Sequence, residues 1–171
     1  DIKYYKATYQ HQRFFPVSKD WTLMLNGELG YAKGLGGQAM PFYKNFYAGG
    51  PGSVRGYEAS SLGPYQLVDN DDDIVHLGGN RRVIFNAELS VPVPGFGADK
   101  SLKFGPFFDA GQVFGESGGK VRDGGSIRMS AGLAATWISP LGPFKFSLAQ
   151  PLNDSNDDKL QRFQFQMGQT F

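Results

Sequence analysis

Arg82-Val83-Ile84-Phe85-Asn86-Ala87-Glu88-Leu89-Ser90-Val91-Pro92-Val93 places Val83, Phe85, Ala87, Leu89 and Val91 on one parity and Arg82, Asn86, Glu88 and Ser90 on the other. Side chains alternate across the pleat of a strand, so the pattern describes a β-strand with one apolar and one polar face. The same period of two recurs along the chain. Residues 4–15 set Tyr5, Ala7 and Tyr9 against Lys6, Thr8, Gln10 and Gln12. Residues 21–32 set Trp21, Leu23, Leu25, Leu29 and Tyr31 against Thr22, Asn26 and Glu28. Residues 102–114 oppose Leu102, Phe104, Phe108 and Phe114 to Lys103, Gly105, Asp109 and Gly111. Residues 126–138 oppose Ile127, Met129, Leu133 and Trp137 to Arg128, Ser130, Gly132 and Thr136. In 144–150, Phe144, Phe146 and Leu148 alternate with Lys145 and Ser147. The last run, 161–171, sets Phe163, Phe165, Met167 and Phe171 against Arg162, Gln164, Gln166 and Thr170. Helical period is almost nowhere. The fold is all-β and antiparallel.

Most of these runs have about the 9–11 residues that cross a bilayer as a tilted strand, 144–150 being the shortest. Aromatic rings gather near their ends (Phe15, Trp21, Tyr31, Phe114, Trp137, Phe144, Phe171), where membrane interfaces favour them. A mean hydropathy of −0.34 fits a soluble protein, but a transmembrane barrel hides its apolar residues by alternation. A soluble β-sandwich would show the same alternation. The connections separate the two, because short and long ones take turns: 16–20, 34–80, 94–101, 115–125, 139–143 and 151–160. Short turns on one side and long loops on the other are the layout of an outer-membrane barrel. Seven strands leave two bare edges, and single-chain bacterial barrels have an even number, so the chain is read as a piece of a larger barrel.

Other classes find little support. The chain of 171 residues carries 17 basic and 16 acidic groups, a net charge of +1, which offers no electrostatic footprint for nucleic acid. It has no cysteine, hence no disulfide or thiolate metal site, and two histidines, His11 and His76, are too few for most metal centres. No apolar run reaches the length of a membrane helix, and no signal peptide opens a sequence that begins at Asp1, as expected of a mature or excised fragment. Gly115-Glu116-Ser117-Gly118-Gly119 matches a nucleophile elbow without the helix that should follow. Gly118-Gly119-Lys120-Val121 lacks the outer residues of a phosphate loop. Asp69-Asn70-Asp71-Asp72-Asp73 has Ile74 and Asn80 where a calcium loop needs Gly and Glu. It reads as a solvated acidic loop, as does 153–158. No catalytic residue, cofactor or metal is expected.

The informative segment is Tyr47-Ala48-Gly49-Gly50-Pro51-Gly52-Ser53-Val54-Arg55-Gly56-Tyr57, inside the 34–80 connection. Connections that long are usually functional or disordered. Phe42, Tyr43, Phe46, Tyr47, Val54 and Tyr57 give this one apolar anchors, so it is expected to fold back and deliver Arg55 to a specific place. With a turn near Gly97, residues whose numbers sum to about 195–197 face one another across the neighbouring strands. That brings Glu88 and Asp109 close on the polar face. Two carboxylates in proximity require a cation, and the planar fork of Arg55 suits them. Lys103, Arg82 or Arg128 would serve equally on sequence grounds.

Gly49-Gly50-Pro51-Gly52-Ser53-Val54-Arg55-Gly56-Tyr57 resembles the V-R-G-[FY] loop of the BamA family of outer-membrane assembly factors (bacterial surface antigens), with Tyr57 where many members have Phe. Phe107-Phe108-Asp109-Ala110-Gly111 resembles the family's F-x-D-x-G motif. Residues 127–132, 139–143 and the ending 163–171 are also similar, so the resemblance runs collinearly through the chain. It implies that residues 1–171 are the C-terminal seven strands of a barrel of about sixteen, in the outer membrane of a Gram-negative bacterium. Residues 34–80 would then be an extracellular loop tucked into the lumen. Val54, Arg55, Gly56 and Tyr57 would be its motif, Glu88 and Asp109 the inward acidic partners of Arg55, and Phe163, Phe165, Met167, Gly168 and Phe171 part of the strand at the barrel seam. The implied function is folding and insertion of client outer-membrane β-barrel proteins. Membrane lipid and accessory assembly lipoproteins are the other implied partners, the latter mainly through periplasmic domains outside this chain. A secretion translocase of the same superfamily, and a passive porin or adhesin, are the alternatives.

Overall fold

A computed structural model describes residues 3–37, 40–68, 73–93, 101–115 and 120–168. Its strands are β1 (Tyr4–Pro16), β2 (Thr22–Gly34), β3 (Gly56–Tyr57), β4 (Tyr65–Val68), β5 (Asp73–His76), β6 (Arg81–Pro92), β7 (Leu102–Phe114), β8 (Val121–Arg122), β9 (Arg128–Ser139), β10 (Gly142–Pro151), β11 (Leu160–Gln161) and β12 (Phe163–Met167). Every alternating run of the sequence forms a strand of one sheet, in the order β1-β2-β6-β7-β9-β10-β12, with antiparallel neighbours throughout. The sheet is a meander that does not close, as a section of a larger barrel would be.

The register keeps the two faces separate across all seven strands. Asn26 lies opposite Asn86, Asn86 opposite Asp109, and Asp109 opposite Ser130, so one polar row crosses four strands on the inner face. Amide hydrogen bonds join much of it: Gln10 Nε2 donates to Asn26 (3.1 Å), Asn26 Nδ2 to Asn86 (3.0 Å) and Asn86 Nδ2 to Asp109 (3.0 Å). The outer face carries Leu29, Phe85, Phe104, Leu133, Leu148, Phe163 and Met167, all exposed. No helix among the described residues is long and apolar enough to cross a membrane, which says nothing of strands.

The apolar core is not formed between two sheets, as a sandwich would require. Phe46, Ala48, Val54, Tyr57 and Leu62 from the β2–β6 connection pack on Ala32, Ile84 and Val113 of the inner wall. The wall is therefore small or apolar beneath the hydrophobic residues of the connection, and polar elsewhere. This connection folds back as expected and has regular structure that no alternation in the sequence marked: a 3-10 turn at Phe42–Lys44 and the strands β3, β4 and β5. β4 pairs with β5 and, from the next long connection, with β8. The turn near Gly97, the elbow-like residues 116–119 and the acidic residues 69–72 lie outside the described residues.

An isolated chain of this kind exposes an apolar outer face and two unpaired edges, which drive association in water. It is expected to remain dispersed only in detergent. Light scattering showing a stable monomer in dilute detergent-free buffer would contradict this.

Candidate functional site

The register of β6 and β7 follows a sum of 195, so Glu88 faces Phe107 and Asp109 faces Asn86. Glu88 and Asp109 are thus diagonal on the inner wall rather than directly opposed. The connection crosses above them and buries Arg55 to 4% exposure. Asp109 receives Arg55 at three points: the backbone N–H (3.0 Å), Nε (2.7 Å) and an Nη (2.8 Å). The two guanidinium bonds form the bidentate pairing that matches a carboxylate in both geometry and charge. The other Nη donates to Glu88 at 2.5 Å.

Two further groups complete the cluster. Lys145, on the inner face of β10, reaches the same Glu88 oxygen at 2.9 Å. Phe107, buried on β7, lies beneath the guanidinium with Arg55 Cζ 3.6 Å from its ring centroid. Such a desolvated cation–π contact contributes about 2 kcal/mol. Two cations and two anions leave the cluster neutral, the condition under which charges survive burial. Burial opposes the charge of Arg55, but hydrogen bonds and charge from Asp109, then from Glu88, outweigh it and hold its pKa above the ordinary value. Of the cations weighed from sequence, Arg82 instead pairs with Glu28 (3.3 Å) and Arg128 with Asp158 (2.8 Å). Neither Lys145 nor Phe107 was singled out. Both were readable from parity, since Lys145 lies on the polar side of its run and Phe107 is two residues before Asp109.

The other motif residues anchor the tip. Val54 and Tyr57 are fully buried, and the Tyr57 hydroxyl donates to the Met129 carbonyl at 3.2 Å. Burial and then the charge of Asp158 push its pKa up to about 12. Gly56 has φ +92, and a Cβ there would sit 3.0 Å from that of Ala149, so conformation and space both call for glycine. The stretch 153–158, expected to be solvated, is exposed from 154 to 157, yet it also clasps neighbouring loops. Asn153 accepts from Met129 N–H and donates to the Ile127 carbonyl (both 2.7 Å), Tyr65 donates to Asp157 (2.7 Å), and Asp158 holds Arg128. Polarity accounts for the exposure, and the tertiary partners were not legible from it.

The last strand departs from its sequence reading. Leu160 and Gln161 pair with Tyr57 and Gly56 as β11–β3, and only Phe163–Met167 lies in the main sheet, beside β10. Phe163, Phe165 and Met167 point outward and are exposed. Gly168 has φ +95, which ends the strand, and its N–H donates to the Pro143 carbonyl (3.0 Å). Nothing lies within 4 Å of a Cβ built there, so Gly168 does not sit beneath a bulky neighbour. Phe171 lies outside the described residues.

An open antiparallel sheet with a lipid-like outer face and an inner wall that clamps an arginine loop defines a section of a membrane β-barrel. The chain belongs to the Omp85 superfamily: the model of the Omp85 superfamily domain matches residues 1–171. It is 42% identical to the outer membrane protein assembly factor BamA of Neisseria meningitidis serogroup B, over 99% of this chain and 24% of that protein. It is 32% identical to BamA of Nitratidesulfovibrio vulgaris, over 77% of this chain and 16% of that one. The crystal structure of BamA from Haemophilus ducreyi lacking POTRA domains 1-3 superposes with a TM-score of 0.82 at 32% identity, covering 95% of this chain and 34% of that one. The chain thus spans about a quarter or less of the length of these curated relatives.

Two predictions follow from this geometry. Arg55→Ala leaves Asp109 buried without a cation and Glu88 with Lys145 alone, and breaking a buried pair costs about 3–5 kcal/mol, less where water enters. In the full-length protein the 40–68 segment should become protease-sensitive; unchanged resistance would refute the bracing role. His76, whose ring nitrogens have no partner among the described residues, is held below its ordinary pKa by burial and then by Lys159, against the pull of Glu58 and Asp158. The folded loops therefore hold it neutral, and they lose stability as pH falls from about 6.5 through the folded value. Proteolysis of the loops should rise between pH 7 and pH 5, and His76→Phe should flatten that rise.

Proposed function

We propose that residues 1–171 are the C-terminal barrel portion of an outer-membrane assembly factor that folds and inserts other β-barrel proteins through a lateral seam. The observation that carries this is the weakness of the last strand. Among the described residues its ladder with β10 covers five residues, extended by one backbone bond at each end (Ala149 N–H to the Arg162 carbonyl and Gly168 N–H to the Pro143 carbonyl), beside strands paired over ten or more, and the ladder ends at a glycine of positive φ. An incoming strand carries unpaired backbone groups that hydrocarbon cannot satisfy. A short, loosely held terminal strand can yield its edge to that client as a template, which is β-augmentation. The relatives, both outer membrane protein assembly factors, favour assembly over secretion. A lumen occupied by a core-forming loop also fits poorly with a passive pore.

In this reading residues 34–80 are an extracellular loop folded into the lumen, and Val54, Arg55, Gly56 and Tyr57 with Glu88 and Asp109 are its lock. Phe163, Phe165, Met167 and Phe171 hold the seam strand in lipid, and Gly168 shortens its pairing. The protein sits in the outer membrane of a Gram-negative bacterium, with client barrels, membrane lipid and accessory lipoproteins as partners, the last through domains beyond this chain. No bond chemistry enters this reading: the work is templating by an open strand edge.

Gly168→Val tests the seam. Valine is strained at φ +95 and favours extended backbone, so the strand should straighten and lengthen its pairing. Full-length variant protein should retain heat-modifiable gel mobility, the mark of a folded barrel, yet insert clients into proteoliposomes more slowly. A folded variant with undiminished insertion would exclude the gating role.

A further inference from the structure

The end strand is held by more than its sheet. Its inward residues are Gln164 and Gln166, and Gln164 is buried to 3% exposure. The Gln164 carboxamide faces the two residues that follow Arg55. Nε2 donates to the Tyr57 carbonyl at 2.7 Å, and the Gly56 N–H donates to Oε1 at 3.4 Å. Four residues earlier the backbone grips the same place, with Gln161 opposite Gly56 and Leu160 opposite Tyr57. Glu58 N–H then donates to the Lys159 carbonyl at 2.8 Å. The end of the chain and the tip of the loop form a small ladder that a side chain extends after the main chain has turned back into the sheet.

We propose that Gln164 is a positioning residue that fastens the seam strand to the arginine loop, so that seating of Arg55 and order in 160–167 become one equilibrium. Asp109 and Glu88 hold one side of the loop tip, and Gln164 holds the other. A loop released from its carboxylates withdraws Gly56 and Tyr57 from Gln164, leaving the end strand with only its short pairing to β10. Conversely, a client that displaces the end strand pulls on the loop that carries the buried charge. The fastening acts on the half of the strand nearest the loops, and the Met167–Gly168 end, held by its backbone bonds to β10 alone, parts first. What this equilibrium gates rests on the assembly reading above; the coupling itself does not.

Amide exchange on the full-length protein in detergent, without any client, tests the coupling. Gln164→Leu keeps the bulk and removes both hydrogen bonds. Exchange should quicken by about tenfold, the effect of losing one of the stronger hydrogen bonds, in 160–167 and also in 54–58. Residues 130–138 should be unaffected. Arg55→Lys should quicken 160–167 as well, although its charged partners lie on β6 and β7. The double variant should exchange no faster than the faster single one, the non-additivity of sites sharing one equilibrium. Gln164→Asn, which keeps the carboxamide but draws it back by one methylene, should fall between, and it carries the same comparison if the leucine variant does not fold. Faster exchange confined to 160–167 in the Gln164 variants, or an Arg55→Lys variant with 160–167 unchanged, would overturn the proposal. Coupled exchange in a protein that inserts no client would sink the assembly reading and leave the fastening intact.

Discussion

One buried charge governs the inside of this molecule. A guanidinium removed from water is tolerated only where its charge is neutralised and its donors are met. Asp109, Glu88, Lys145 and Phe107 do this from three strands at once. The requirement fixes much else. β6 and β7 must place their carboxylates diagonally on one face, Asn86 must occupy the remaining capacity of Asp109, and Gly56 must turn sharply after the arginine. The loop core of Val54, Tyr57, Phe46 and Leu62 then follows the charge, filling the wall on either side.

The outer and inner faces solve opposite problems with one pattern. Outward, alternation presents Leu, Phe and Met to an apolar surrounding. Inward, it presents amides and hydroxyls that neighbouring strands can share, as in the row from Gln10 to Asp109. The loop replaces the second layer that a sandwich would need, so the same sheet is stable with a single folded segment above it.

Much of this was readable in the sequence. The strands were visible because period two is a local property, and the β6–β7 register because a short turn limits the sum of paired residues. The pairing of Arg55 with Glu88 and Asp109 was approachable for the same reason, together with the scarcity of ways to neutralise two close carboxylates. What escaped was set by distant partners. Nothing local says that Asn153, Asp157 and Asp158, in a polar run otherwise open to water, meet Met129, Tyr65 and Arg128. Nothing near Leu160 says that it leaves the main sheet to pair with Tyr57. The strands β4, β5 and β8 are short and pair only with one another across two loops, so none carries a periodic signal long enough to recognise.

The lock on Arg55 also dictates an order of events along the chain. Arg55 lies 54 residues before Asp109, and Tyr57 lies 107 before Gln164. Contacts so distant in sequence form late, because the intervening chain must first surrender its freedom. Strands β1 and β2 can pair as soon as they exist, but the loop that follows them has Glu88 alone as counter-charge until β7 brings Asp109, and no final hold until the last residues arrive. The arginine therefore reports on completion: it can settle only in a wall that is already built.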